Sequence, residues 1–147
     1  MGIRKINKKK FTEQEHKLLA KWAIACAERV LPYFEKVCPK DDRPKKAIEA
    51  GKAWVRGEIT VGEARKAAIA AHAAARDVAK NVSACAAARA AGQAVSTVHM
   101  AGHAVHAANY AVKAVGASNA AKELEWRTLV KKIIRDSDRF FMNNLNI

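Results

Sequence analysis

The chain has little of what builds sheets, cross-links or catalytic motifs. Runs of Val, Ile, Thr and aromatics are absent, and aromatics make up only 6% of its 147 residues, which excludes a β-rich core. Three cysteines, Cys26, Cys38 and Cys85, form an odd set without a CxxC, so neither a disulfide framework nor a structural zinc knot is expected and a reducing compartment fits. The N-terminus has no apolar segment of signal-peptide type, and Ile6 stands where a myristoylation pattern needs Ser or Thr. Residues 81–121 contain no acid, yet they are too Ala-rich and too interrupted by Ser, Gln, His and Asn to span a membrane. No nucleophile motif, phosphate loop, dinucleotide fingerprint, HExxH or ExxH is present. These absences point to a non-membrane, cytoplasmic protein with no cofactor.

What is abundant is alanine and positive charge. Half of the residues are hydrophobic, and alanine supplies much of that half. Alanine is the strongest helix former and lets helix axes approach closely. The expectation is an all-α fold, a single compact bundle of about six helices with an Ala-rich, closely packed centre. At this length, one helical domain over 12–147 follows a basic arm over 1–11 that carries Arg4, Lys5, Lys8, Lys9 and Lys10. The formal charge of +13 implies an acidic partner, whether a protein, an acidic membrane surface, or nucleic acid bound through the Lys-rich arm, although the arm can equally be a solvated tail that aids solubility.

Several boundaries are legible. Thr12–Glu15 and Thr60–Glu63 read as capping boxes. Between them, "CPKDDRP" reads as a loop in which Asp41 or Asp42 caps a helix with Pro44 in its first turn, and Gly57 reads as that helix's terminator. Pro32 should kink or split the first helix. Gly92 and Gly102 are both candidate breaks within 83–115, so that stretch holds either one helix or two. A final amphipathic helix is expected after Ser118, with Trp126, Leu129, Ile133 and Phe140 on one side.

Candidate site residues are polar groups in apolar settings. Arg29 falls close in angle to Trp22 on the first helix, where a charge needs a partner or a ligand. His99, His103 and His106 recur at steps of four and three, a stripe about 60° wide on a helix. Such spacing suits a metal ion, but without an acid in the same stretch a buried hydrogen-bonded network or the wall of a ligand pocket fits it better. His72 and Arg76, four apart in a helix otherwise mostly alanine, pose the same choice, with an anion pocket as the functional reading. A carboxylate from Glu28, Asp41 or Glu58 could complete an acid/base or metal set with His72, His99 and His103 across the bundle.

Four stretches carry a resemblance: "KWAIACAERVLPYFE" (21–35), "DDRPKKAIEAGKAWVRGE" (41–58), "EARKAAIAAHAAAR" (63–76) and "ARAAGQAVSTVHMAGHAVHAANYAVKA" (88–114). Together, over about residues 20–115, they resemble the immunity-protein-five-like family, all-α and rich in Ala and His, which is linked to bacterial polymorphic toxins. The resemblance implies a cytoplasmic, non-enzymatic protein that binds and neutralises a toxin domain. Its matching polar positions are Glu28, Asp41, Arg43, Trp54, Glu58, His72, Arg76, His99 and His103, while Gln93 stands where a histidine is expected. Charge complementarity adds that a +13 protein suits a toxin with an acidic surface.

Overall fold

The computed structural model describes residues 11–116. The arm over 1–10 and the helix expected after Ser118 lie outside the described residues, and with them most of the division into an arm and a single domain. Five helices follow one another: α1 (Glu13–Glu35), α2 (Arg43–Val55), α3 (Val61–Asp77), α4 (Val82–Ser96) and α5 (His103–Gly116). No strand occurs among the described residues.

Local chemistry explains most of the ends. Thr12 and Thr60 accept from the N–H groups of Glu15 and Glu63, and each glutamate accepts in return from the threonine N–H, so both capping boxes form. Asp41, rather than Asp42, takes the first orphan donor of α2, accepting from Arg43 N at 3.1 Å. At the other end, Gly57 adopts φ 76°, and Glu58 N donates to Ala53 O while Gly57 N donates to Trp54 O. That is a Schellman termination, which a glycine adopts without steric cost. Asn81 caps α4 by accepting from Ala84 N at 2.9 Å, two residues before the expected start.

Pro32 lies inside α1 and does not split off its last turn, since the helix continues to Glu35. The stretch 83–115 is two helices, with the break across 97–102 rather than at Gly92, which sits inside α4. Thr97, fully buried, closes α4 by donating from its hydroxyl to Gln93 O.

The helices are arranged around α4, which contacts each of the other four. Its composition explains that place. Of Val82–Ser96, all but Val82, Ser83, Cys85, Arg89 and Gln93 are buried, so α4 is apolar nearly all round. Small side chains let α1, α2, α3 and α5 pack closely on it, and the bulk is supplied from outside by Leu19, Trp22, Ile24, Val30, Phe34 and Ile48. Around α4 the contacts run α3–α2–α1–α5, with no packed interface between α3 and α5. Among the described helices a furrow is left there, floored by α4.

Candidate functional site between α3 and α5

Val82, Cys85, Arg89 and Gln93 fall within about 80° on α4, and this stripe escapes burial because neither neighbouring helix covers it. Its two long polar side chains reach to opposite walls. Arg89 Nη1 donates to His72 Nδ1 on α3 at 2.8 Å. Nδ1 of His103, on α5, donates to Gln93 Oε1 at 2.7 Å.

His72 has a seat because α4 has no side chain at position 92. A Cβ placed on Gly92 would come within 2.6 Å of the imidazole Cε1 and Nε2 atoms. The glycine therefore serves close approach, not a helix break. On α3, Arg65, Ile69, His72 and Arg76 share one stripe about 60° wide, next to the alanine face that packs on the core. On the other wall, the rings of His99, His103 and His106 follow one another with centroids 5.2 and 6.1 Å apart.

The electrostatics are one-sided. Burial pushes the His72 imidazole below its ordinary value, and Arg89, Arg76 and His103 add to that push. His103 is lowered by burial and by His99 and His106 beside it. Burial and then Arg65 lower His99. Among the described residues no carboxylate acts on these rings. Glu28, Asp41, Asp42 and Glu58 are instead held by Lys52, Arg43, Lys46 and Arg56. Among the described residues, then, none of these carboxylates joins the histidines in the acid/base set that the sequence left open. Among the described residues no group of three or more His, Cys, Asp or Glu is placed to hold a metal ion. The stripe His99, His103, His106 reaches solvent at both ends, with only His103 half-buried.

The remaining predicted positions have separate settings. Arg43 grips Asp41 at 2.7 Å and Asp77 at 2.6 Å, which ties the loop before α2 to the end of α3. The guanidinium holds the Asp41 carboxyl below its ordinary value, and the two carboxylates raise Arg43 in turn. Trp54 packs against the His16 ring, at 5.1 Å between centroids, and His16 Nε2 donates to the Thr97 carbonyl. Glu58 bonds Arg56 at 2.8 Å. Arg29 is exposed, so it is not the buried charge that its nearness to Trp22 suggested. The buried face of α1 is centred near Val30 and Ala23. Trp22 marks its edge, and Arg29 lies about 20° beyond it.

The furrow thus gathers His72, Arg76, His99 and His103, and adds Arg65, Arg89 and Gln93, of which the first two gave no motif. The available signal for Arg89 was its isolation. It is the lone charge in a helix of small residues, four positions from Gln93 and so on the same face. His16 had no comparable signal. The arrangement can attract an anion and donate hydrogen bonds to it.

The profile of the family described as "Imm-5 like putative immunity protein" matches residues 9–132. No curated protein matches this chain, and no solved structure does.

Proposed function

The chain belongs to the Imm-5 like immunity family, and from that membership we propose that it binds a cognate bacterial toxin domain in the cytoplasm and neutralises it by occupying its surface, without catalysis. The carrying observation is the furrow between α3 and α5. Arg65, His72, Arg76, Arg89, His99 and His103 meet there with no carboxylate among the described residues. Elsewhere Glu28, Asp41, Asp42, Glu58 and Asp77 each sit beside a base, whereas the furrow gathers bases with no described acid, which suits an outside partner of negative charge. Ile69, 66% exposed on the same stripe of α3, and Met100, 59% exposed beside His99, supply apolar contact of the kind a protein partner uses. No helix of the described residues is long and apolar enough to cross a membrane.

The test is to purify the tagged full-length chain from its own host, with nuclease treatment, and identify what stays bound at high salt. The expected outcome is one acidic protein in stoichiometric amount whose toxicity the chain suppresses. Nucleic acid alone would transfer the function to the Lys-rich arm, whose phosphate contacts weaken steeply with salt. A metal or small molecule alone would overturn the toxin reading.

A further inference from the structure

We propose that Arg89, flanked by His72 and His103, is the receptor for a single carboxylate, an aspartate or glutamate side chain of the protein partner inserted between α3 and α5. The proposal rests on the toxin-binding reading for its partner, and on the furrow alone for the chemistry.

Arg89 lies half-buried on the central helix, and its bonded neighbour is a neutral imidazole. A guanidinium carries five donors, and one is spent on His72 Nδ1. A recessed cation with no counter-ion among the described residues is costly, and the geometry it accepts best is the two-oxygen edge of a carboxylate. His103 is oriented for the same task. Its Nδ1–H is fixed on Gln93 Oε1, which leaves Nε2 to take a proton and donate it to an arriving anion.

The charges on every side agree. Arg76 acts on His72 from α3, Arg89 and Gln93 rise from α4, and His99 and His106 stand beside His103, with Arg65 acting on His99. With both imidazoles biased to their neutral forms, Arg89 carries the full positive charge of the furrow floor, while Arg65 and Arg76 are exposed on the α3 wall. The planar fork of Arg89 matches the two oxygens of one carboxylate. The exposed Ile69 and Met100 at the rim favour a protein surface over a nucleic-acid backbone.

The experiment titrates the full-length chain with acetate, and separately with inorganic phosphate, at constant ionic strength. The Arg89 Nε–H and the ring protons of His72 and His103 are followed by NMR. Acetate should move the Arg89 signal saturably and raise both imidazole titrations, and both responses should vanish in Arg89→Met. Arg89→Lys keeps the charge without the planar fork, so it should bind acetate several-fold more weakly; it also serves if the methionine variant does not fold. With the copurified partner, Arg89→Met should weaken binding about 100-fold.

No saturable response to acetate, phosphate binding ten-fold tighter than acetate, or partner binding within two-fold of wild type in Arg89→Met would each overturn the proposal. In the last case the toxin reading stands without it. Saturable acetate binding in a chain for which no protein partner is found would support the receptor and overturn the toxin reading.

Discussion

The two sides of the bundle treat charge in opposite ways. On the α1–α2 side, Glu13 meets Lys17, Glu28 meets Lys52, Asp42 meets Lys46, Arg56 meets Glu58, and Arg43 holds both Asp41 and Asp77. In the furrow, guanidinium and imidazole groups neighbour one another without a described acid. The first side is closed, in that these acids are each met by a base, and the Lys52–Glu28 and Arg43–Asp77 pairs tie one helix to another. The second is open, since its charges gain little from the fold that carries them. Groups kept despite mutual repulsion point outward to a ligand more strongly than groups that serve the structure.

The largest effect should come from emptying the open side. His72→Gln, Arg76→Gln and His103→Gln combined should weaken the partner complex about 100-fold or more, measured by calorimetry. Lys52→Gln with Arg56→Gln, on the closed side, should stay within about two-fold. Equal losses from both sets would erase the distinction. Next in size is Gly92→Ala. Its Cβ meets the His72 ring, an overpacking of about 1–3 kcal/mol, against about 1 kcal/mol gained from alanine's helix propensity. Urea denaturation should show a net loss, and a net gain would mean that the ring moves aside at no cost. Smallest is Arg43→Met on the closed side. Its ion pairs are a third exposed at the arginine and screened by solvent, so the loss should be about 1 kcal/mol or less by the same assay.

Acid separates the sides as well. His72, His99 and His103 are held below their ordinary value of 6.5, so the unfolded chain takes up protons before the folded one does. Their contribution is complete above about pH 6.5 and is lost as the pH falls from there through the lowered folded values. Asp41 is depressed below 3.8, so its contribution is present above that value and is lost only as the pH falls through its still lower folded one. Denaturation across pH should therefore show two separate declines. His72→Gln with His103→Gln should flatten the upper one and leave the lower, while Asp41→Asn should do the reverse.

Much of this was legible in the residues. Helix ends are local matters, and Thr12, Thr60, Pro44 and Gly57 announce them by their own chemistry. The resemblance over 20–115 named the family that the profile over 9–132 shows. Arg29 was misplaced because its setting depends on where the buried face is centred, and Trp22, the bulkiest side chain there, is its edge. The partners of the histidines could not be read either. That Arg89 meets His72 and Gln93 meets His103 is settled by which helices flank α4, and runs of alanine carry no mark of that. Gly92 looked like a break because a glycine in sequence does not reveal that another helix's ring occupies the space above it.

The floor of the furrow is also the axis on which the other four described helices lean. Hydrogen exchange at Arg89 and Gln93 should then require opening of the whole bundle, because no local fraying can release the middle of α4. Such a surface meets its partner already ordered and spends little entropy on recognition. It is also hard to reshape, since a change at the floor is felt by every helix. New specificity is more easily reached from the rim, where Arg65, Ile69, Arg76 and His106 are exposed and can be exchanged without disturbing the packing beneath them.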